Sequence, residues 1–295
     1  MRIAKVLART NPSFSFEFYA PYAEDGVSAL LETIRRLSRL NPSFVSVTCS
    51  AGSRRRRRTL EIATRIKGEF GIEVMAHLTC LGSSRDELHA MLQALADTGI
   101  ENVLALRGDP PRREARTELP VEGFAYASEL VTFIADHYDF CIAGACYPQG
   151  HPACASLVED LDHLVRKVEA GVEFLITQAF FENAHYFTFV ERARGAGICV
   201  PILPGIMPLT DLRVLERMVA LDSRTTVPVA LRRELERRAD DPNAMGEIGA
   251  AYATFQCEEL LRCGAPGVHF YTLNQATATS TVLAALQQGR SGGRG

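Results

Sequence analysis

The sequence predicts an α/β protein of the (β/α)8 TIM-barrel class, and three observations support this prediction. Eight short apolar runs rich in β-branched and aromatic residues occur along the chain. Amphipathic segments of helical period lie between them, which is the alternation expected of a parallel sheet covered by helices. No GxGxxG motif follows any of the runs, so the fingerprint of a dinucleotide-binding Rossmann domain is absent from the sequence. Eight strand and helix units therefore favour a closed barrel over a doubly wound open sheet.

The predicted strands and helices alternate in the order that a barrel requires. The strands cover residues 14–18, 44–48, 73–79, 102–108, 140–147, 174–180, 200–206 and 268–274. Helical period is clearest at 27–40, 85–99, 128–138, 157–171 and 184–197. Several of these segments end in glycine, which favours a helix C-terminus. The longer interval between strands seven and eight predicts extra helices at 212–221, 230–238 and 245–264.

Length and composition indicate one folded domain with a large core. The 295 residues are 47% hydrophobic and carry a formal net charge of -3. We expect a single catalytic barrel domain over residues 1–288 and a disordered, glycine-rich tail at 289–295. The amino terminus lacks the apolar stretch of a signal peptide, and no window is apolar enough to cross a bilayer. We therefore expect a cytoplasmic protein with no membrane partner.

Cysteine and arginine usage bear on what the protein binds. The eight cysteines form no CxxC pair, and we expect them to be reduced and structural, with no metal site. Five consecutive arginines, Arg54–Arg58, resemble a nucleic-acid site, but the isoelectric point near 6.2 argues against one. We predict that the run is a loop at the barrel mouth, leading into the second helix, where arginines attract small anionic ligands.

Polar residues at the carboxyl ends of the strands are the candidates for an active site, because barrels of this class build their sites there. They are Glu17, Thr48, His77, Arg107 with Asp109, Tyr147 with His151, Gln178, and Tyr271 with Asn274. Glu17 is the most informative, since a carboxylate between Phe16 and Phe18 on a core strand is costly unless it is paired or neutral. A structural salt bridge is its alternative role.

Seven segments of the sequence, taken in order and spacing, carry a family resemblance. They are FSFEFY, HLTC, NVLALRGDPP, YPQGHP, LITQAFFEN, PGIMP and GVHFYTLN. Together they resemble the methylenetetrahydrofolate reductases of bacterial type, FAD-dependent oxidoreductases of one-carbon metabolism and methionine biosynthesis. The resemblance spans residues 13 to 288 and implies a barrel that catalyses two half-reactions. Reduced nicotinamide passes hydride to FAD and leaves, and 5,10-methylenetetrahydrofolate then binds and is reduced to 5-methyltetrahydrofolate.

The resemblance also implies roles for the residues at matching positions. The residues that would contact FAD are Thr48, His77, Arg107, Gly108, Asp109, Tyr126, Ala127, Tyr147, His151, Asp160 and Lys167. Arg107 and Lys167 would supply positive charge to the pyrophosphate. Tyr147 would offer an aromatic surface, and Gly108 would allow close backbone approach. The residues that would contact the substrates are Glu17, Gln178, Leu212, Tyr271 and Gln275, with Gln178 orienting the pterin.

Two carboxylates would carry the chemistry. Glu17 would be the general acid that protonates the bridge nitrogen of the folate, so that an iminium forms before hydride arrives. Phe16 and Phe18 would supply the apolar surroundings that keep its carboxyl protonated. Asp109 would stay ionised beside the flavin and stabilise the positive charge that develops.

Three departures from the family pattern leave alternatives open. The loop after the second strand loses two glycines and an aromatic residue and has Arg57 in place of an aspartate, which makes it stiffer and more basic. Leu212 replaces an aromatic residue, and Gln275 replaces a basic residue. Leu212 and Gln275 leave open a catalytically weakened barrel that acts as a partner subunit, and the arginines leave open a polyanion-binding protein. The donor can be NADH, NADPH or another reductase subunit. We expect a homo-oligomer that binds no nucleic acid.

Overall fold

The computed structural model describes residues 1–21, 23–49, 53–108 and 123–292. Its strands are β1 (Ser13–Tyr19), β2 (Phe44–Thr48), β3 (Val74–Thr79), β4 (Asn102–Leu106), β5 (Cys141–Cys146), β6 (Phe174–Thr177), β7 (Ile202–Leu203), β8 (Gly205–Ile206) and β9 (Gly267–Tyr271). Its helices are α1 (Ile3–Arg9), α2 (Glu24–Ser38), α3 (Ser53–Phe70), α4 (Arg85–Asp97), α5 (Ala127–His137), α6 (Leu157–Glu169), α7 (Asn183–Gly195), α8 (Leu212–Leu221), α9 (Val229–Arg237), α10 (Pro242–Arg262) and α11 (Thr277–Gly292).

The strands form one parallel sheet that closes into a barrel. Their order is β7, β6, β5, β4, β3, β2, β1, β9 and β8. β7 and β8 are separated only by Pro204, and they pair with β6 and β9 respectively, which completes the ring. The predicted (β/α)8 barrel is confirmed, except that the strand predicted at 200–206 is divided in two. Proline has no N–H to donate to a neighbouring strand, which explains the division.

A short helix outside the predicted set, α1, covers the amino ends of the strands. Its Ile3 and Leu7 are buried in a cluster with Phe44 of β2 and Phe174 of β6. The backbone N–H of Ile3 donates a 2.7 Å hydrogen bond to Asn102 Oδ1 at the start of β4. Because apolar side chains fill this end of the barrel, a ligand reaches the interior from the carboxyl ends of the strands.

Alternation along β1 decides which of its side chains reach the barrel interior. Phe16 and Phe18 are buried in the large core between the sheet and the surrounding helices. Ser15 and Glu17 point inward, toward side chains of β3 and β9. Successive side chains of a strand lie on opposite faces. Phe16 and Phe18 therefore do not surround the Glu17 carboxyl, and the prediction that they supply its apolar environment is wrong.

Helices α8 and α9 and the long α10 fill the interval between β8 and β9, as the sequence predicts. Their side chains form an apolar cluster that includes Leu215 of α8, Leu231 of α9 and Met245 of α10. Met207 and Leu209, which follow β8 directly, belong to the same cluster. The extra helices therefore hold a segment that begins at the carboxyl end of the barrel.

Two predictions fall wholly or partly outside the described residues. Asp109 lies in the interval 109–122, which the structure does not describe. Of the segment 289–295, predicted as a tail, the backbone of α11 extends to Gly292, and residues 293–295 lie outside the described part. The role of Asp109 and the boundary of the catalytic domain stay predictions.

Candidate active site

Glu17 lies where three strands bring ionisable side chains together inside the barrel. Its Oε2 atom is 3.5 Å from Nε2 of His77 on β3 and 3.7 Å from Nε2 of His269 on β9. The Glu17 side chain is 20% exposed, whereas His77 and His269 are buried. A ligand that enters the barrel therefore meets the carboxyl before either imidazole.

His269 is fully buried next to Glu17 and has a polar neighbour at each ring nitrogen. Its Nδ1 atom is 2.8 Å from Ser15 Oγ, and its Nε2 atom is 3.4 Å from Ser46 Oγ. These hydroxyls allow the imidazole to be buried with its hydrogen bonds satisfied. Sequence reasoning missed this residue. Strand alternation is the signal that finds it, since it lies two residues before Tyr271 on the same face.

His77 is held in its neutral form beside Glu17. Burial lowers the pKa of His77 to about 4, against an opposing effect of the Glu17 carboxylate and with a further lowering from His269. Its Nε2 atom has no hydrogen-bond partner among the described residues. Buried nitrogen atoms without a partner are rare in native proteins. A nitrogen of this kind beside the partly exposed Glu17 carboxyl fits a ligand that completes its hydrogen bonding.

The neutral state of His77 predicts a pH dependence of stability. The unfolded chain binds a proton at His77 below about pH 6.5, and the folded protein does so only below about pH 4. Lowering the pH from about 6.5 to about 4 should therefore reduce the free energy of unfolding of the ligand-free protein, by roughly 3 kcal/mol from this residue. Denaturant unfolding at a series of pH values measures the change.

Two variants isolate the contribution of His77 to that pH dependence. His77→Gln should remove the contribution of His77 to the pH dependence of the free energy of unfolding, because the amide does not titrate. His137→Gln, at an exposed histidine of α5, should keep the parent's slope. The assignment is contradicted if all three proteins lose stability equally between about pH 6.5 and about pH 4.

A second group of predicted site residues lies beyond the end of β5. The rings of Tyr147 and His151 meet edge to face, with centroids 4.6 Å apart. Burial lowers the pKa of His151, and the Asp160 carboxylate partly offsets this effect. Lys167 Nζ donates a 2.5 Å hydrogen bond to the Ala145 carbonyl, and burial lowers the pKa of Lys167. The group offers an aromatic face and a partly desolvated cation to a ligand.

Arg224, which was not among the candidates, connects this group to the helices that follow β8. Its guanidinium donates hydrogen bonds of 2.7 Å to the His151 carbonyl and 2.6 Å to the Cys154 carbonyl. Gln149 Nε2 donates a 3.1 Å hydrogen bond to the Thr226 hydroxyl in the same connection. A planar guanidinium with two fixed bonds restrains the loop that carries His151. Arg224 and His151 are 73 positions apart, and a single sequence holds no signal for such a contact.

Arg107 and Gly108 directly follow β4. Arg107 Nε donates a 3.1 Å hydrogen bond to the Ala125 carbonyl, which fixes the guanidinium near the start of α5. Gly108 has a φ of 84°, a conformation that favours glycine. A Cβ atom at this position would lie 3.0 Å from the Cβ of Thr79. Glycine is therefore required both by the backbone conformation and by the neighbouring strand.

Thr48, Tyr126 and Ala127 lie at the same end of the barrel. Thr48 ends β2, and its carbonyl accepts a 2.9 Å hydrogen bond from Thr59 Oγ1. Tyr126 directly precedes α5 and is exposed, and Ala127 is the first residue of that helix. Helices that follow barrel strands begin at the carboxyl ends of those strands. These residues are thus placed at the rim of the barrel where Glu17 opens to solvent.

Two predicted substrate-binding residues, Tyr271 and Gln178, lie on adjoining parts of this rim. Burial and the Glu17 carboxylate raise the pKa of Tyr271 well above its usual value. The Tyr271 hydroxyl donates a 2.7 Å hydrogen bond to the Thr177 carbonyl. Gln178 follows Thr177, is exposed, and accepts a 2.9 Å hydrogen bond from the Ala179 N–H. Tyr271 therefore connects β9, the strand that carries His269, to the end of β6, which Gln178 follows.

Leu212 and Gln275 are placed on different elements. Leu212 begins α8 and packs against the apolar cluster of α8, α9 and α10. Gln275 is exposed and follows Asn274, whose side chain accepts from the Tyr19 N–H at 3.0 Å and donates to the Tyr19 carbonyl at 2.9 Å. Asn274, a strand-end candidate, therefore joins the segment after β9 to the end of β1.

The arginine run forms the first turns of α3 and is not the loop that the sequence analysis predicts. This helix follows β2 and begins at Ser53. Arg56 is buried, with its guanidinium 2.9 Å from Glu87 Oε1 and 2.5 Å from Ser83 Oγ. One arginine of the run is thus part of the contact between α3 and α4.

Three further arginines of the run, Arg55, Arg57 and Arg58, have side chains that the structure describes. Arg58 forms an ion pair with Glu24 and a second with Glu61 at 2.9 Å. Arg55 and Arg57 are exposed. Among the described residues of the run, these two are the ones whose charge faces solvent.

In the part of the chain that the structure describes, no helix combines the length and the apolar character needed to span a membrane.

Comparison with known proteins shows the family of this chain. The family model for methylenetetrahydrofolate reductase matches residues 2–287. The chain is 37% identical to the 5,10-methylenetetrahydrofolate reductase of Escherichia coli over 274 residues, which are 93% of this chain and 90% of that protein. It is 37% identical to methylenetetrahydrofolate reductase (NADH) 1 of Arabidopsis thaliana over 284 residues, which are 92% of this chain and 48% of that protein. The chain thus spans about half the length of this plant relative.

Solved structures with low sequence identity show the same fold. An uncharacterised protein from Clostridium thermocellum that binds two copies of 5-methyl-5,6,7,8-tetrahydrofolic acid has a TM-score of 0.68 and 14% identity, over 99% of both chains. A dihydropteroate synthase from Coxiella burnetii in complex with pteroic acid has a TM-score of 0.51 and 11% identity, over 96% of this chain and 94% of that one. At such identity the likeness shows the barrel alone. The family model and the bacterial relative establish the family as well as the fold: the chain belongs to the methylenetetrahydrofolate reductase family of oxidoreductases.

Proposed function

We propose that this chain reduces 5,10-methylenetetrahydrofolate to 5-methyltetrahydrofolate, with FAD as cofactor and NADH or NADPH as donor. The observation that carries the proposal is Glu17, a carboxyl at the open end of the barrel, 3.5 Å and 3.7 Å from two buried histidines. The family supplies the reaction and a general need for flavin. Bound FAD supplies the hydride relay between the two substrates.

Three observations fit a flavin at the carboxyl ends of β3, β4 and β5. His77 has a buried nitrogen that lacks a partner among the described residues. Gly108 has a positive φ and no side chain, so a ligand can approach its backbone closely. Arg107 and Lys167 bring positive charge suited to a pyrophosphate. The further residues proposed to hold FAD are Thr48, Asp109, Tyr126, Ala127, Tyr147, His151 and Asp160.

Glu17 would donate the proton that the folate half-reaction needs. Protonation of the bridge nitrogen lets the methylene bridge open to an iminium, which can accept hydride. His77 and His269, with Nε2 atoms 3.5 Å and 3.7 Å from Glu17 Oε2, flank the carboxyl from which the proton would leave. His269, bonded to Ser15, limits movement of the carboxyl on its buried side. Asp109 would remain ionised and stabilise the iminium charge.

The folate would bind at the ends of β6, β8 and β9. Gln178 is exposed there and can form paired amide hydrogen bonds to the pterin. Tyr271 is fixed by its bond to the Thr177 carbonyl. Leu212 and Gln275 would contact the substrates with less affinity than an aromatic and a basic residue, because leucine cannot stack and glutamine carries no charge.

Anaerobic kinetics of the purified protein test this proposal. The protein should bind FAD, lose the visible flavin absorbance when NADH or NADPH is added, and regain it when methylenetetrahydrofolate follows. A flavin that is reduced but not reoxidised by the folate would favour the weakened barrel instead. No binding of FAD at saturating concentration would overturn the proposal.

Assembly and location belong to the same proposal. We propose a homo-oligomer, which the family resemblance supports, and a cytoplasmic protein, because cells keep reduced nicotinamides and folates in that compartment. Sedimentation velocity of the FAD-bound protein measures the assembly, and a monomer at micromolar concentration would contradict it. Cell fractionation measures the location.

The exposed arginines of the run are expected to raise ligand affinity through their charge. Arg55 and Arg57 lie on the first turns of α3, at the end of the barrel where the anionic groups of FAD and folate would approach. Arg55→Thr combined with Arg57→Asp should weaken FAD or folate binding roughly threefold at low salt and less at high salt, because salt screens exposed charges. Titration of each ligand at two ionic strengths measures the effect.

A matched variant changes the same charge at the opposite end of the barrel. Arg36 and Arg39 are exposed near the end of α2, so Arg36→Thr combined with Arg39→Asp should leave both affinities unchanged. If the parent binds DNA and the Arg55 and Arg57 variant loses only that binding, the polyanion-binding alternative is favoured.

A further inference from the structure

Thr79 ends β3 inside the barrel with a hydroxyl group that has no partner among the described residues. The residue is 7% exposed, and its Oγ1 atom forms no hydrogen bond within that part of the chain. Native proteins rarely leave a buried hydroxyl unpaired, because the group has lost its bonds to water without replacement. Such a group at the open end of a barrel indicates that a ligand completes its bonding.

The unpaired hydroxyl of Thr79 and the unpaired nitrogen of His77 lie on one face of the same strand. The two residues are two positions apart on β3, and both face the interior. A strand rises about 3.3 Å per residue, so the two positions are about 6.6 Å apart. Two unpaired polar atoms at this spacing along one strand fit a single ligand that presents several polar atoms along one edge.

The backbone that follows β4 lies against Thr79. A Cβ atom at Gly108 would be 3.0 Å from Thr79 Cβ and 3.7 Å from Thr79 Oγ1. Glycine at position 108 therefore lets its backbone lie directly beside the hydroxyl. A ligand that approaches the Gly108 backbone comes within reach of Thr79 at the same time.

We propose that Thr79 is a further flavin-binding residue, whose hydroxyl forms a hydrogen bond to the isoalloxazine ring. The inference rests on the proposed function, since it takes FAD as the cofactor. The ring is indicated because Thr79 shares its strand face with His77, which is 3.5 Å from the proposed acid Glu17, and the hydride must reach the substrate beside that acid. Arg107 and Lys167, the charges suited to the pyrophosphate, are directed elsewhere, to the Ala125 carbonyl near the start of α5 and to the Ala145 carbonyl of β5.

Thr79→Val tests the proposal, because valine replaces the hydroxyl by a methyl group of similar volume. We expect the dissociation constant of FAD to rise about tenfold. The visible absorption bands of bound FAD should shift, because the ring loses a polar contact. The melting temperature of the flavin-free protein should not fall, since an unpaired buried hydroxyl is removed. Thr79→Ser keeps the hydroxyl and should hold the dissociation constant within about threefold of the parent.

Thr177→Val is the matched control for stability. The Thr177 hydroxyl accepts a 2.9 Å hydrogen bond from the Gly205 N–H, so its removal should lower the melting temperature of the flavin-free protein. This comparison separates a hydroxyl that the fold uses from one that it leaves for a ligand.

Three outcomes for Thr79→Val would overturn the inference. They are an unchanged dissociation constant, weaker binding with a lower melting temperature of the flavin-free protein, and weaker binding without any shift of the absorption bands. The last would place the contact away from the ring. Failure of the proposed function is distinguishable from all three, because the parent protein itself would then not bind FAD.

Discussion

Glu17→Gln is expected to abolish reduction of methylenetetrahydrofolate while reduction of the flavin by the nicotinamide stays within about threefold of the parent. Only the folate half-reaction needs a proton donor, and a positioned general acid contributes roughly 10²- to 10⁴-fold to the rate. Glutamine has the size of glutamate and keeps a polar side chain beside His77 and His269, which lie 3.5 Å and 3.7 Å from Glu17 Oε2. Anaerobic stopped-flow absorbance of the flavin follows the two half-reactions separately.

Glu182→Gln provides the matched control for this substitution. Glu182 is a half-buried carboxyl directly before α7 and has no proposed part in proton transfer. Its replacement should change neither half-reaction by more than about twofold. Equal loss of both half-reactions in Glu17→Gln would mean that Glu17 is a structural residue and that another group supplies the proton.

Local sequence patterns predict most strands and helices of the barrel. They fail where an element is stabilised by a contact with residues distant in the sequence. The strands are found because each is a run of β-branched and aromatic residues between turns. Helix α1 escapes prediction because a helix this short is marginal by itself. Burial of Ile3 and Leu7 at the amino ends of the strands stabilises it, and that burial exists only in the closed barrel.

The acid at position 17 can be predicted from the sequence, but its surroundings cannot. A carboxyl in an apolar strand indicates function whichever way its neighbours point. Alternation sends Phe16 and Phe18 to the outer core, so His77 and His269 become the groups around it. A histidine within an apolar strand looks like a core residue, and only the pairing of β9 with β1 brings His269 next to Glu17.

The arginine run shows why charge pattern alone misplaces a helix start. Like charges at a helix N-terminus oppose the helix dipole, which favours a start after the run. In the structure, Arg56 pairs with Glu87 of α4, and Arg58 pairs with Glu24 of α2. These carboxylates offset the repulsion, and they belong to helices that the fold brings alongside α3.

Two glycines of α10, Gly246 and Gly249, differ in what surrounds them. A Cβ atom at Gly249 would lie 1.7 Å from the carbonyl oxygen of Leu209 and 2.6 Å from its carbonyl carbon. A Cβ atom at Gly246 would have nothing within 4 Å. The backbone of α10 therefore touches the segment that follows β8 and leads to Leu212, and this contact depends on the absence of a side chain.

Gly249→Ala is expected to lower the free energy of unfolding by about 3 kcal/mol or more, because one backbone must move away from the other. The melting temperature should fall by roughly 5 °C. Since the displaced segment leads to Leu212, the Gly249→Ala protein that remains folded should also have a higher KM for the folate. Gly246→Ala on the same helix should instead raise the free energy of unfolding by up to about 1 kcal/mol, because alanine restricts the unfolded chain and meets no atom in the fold. Chemical unfolding of the two variants makes the comparison, and an unchanged or higher free energy of unfolding for Gly249→Ala would mean that α10 does not touch Leu209 in solution.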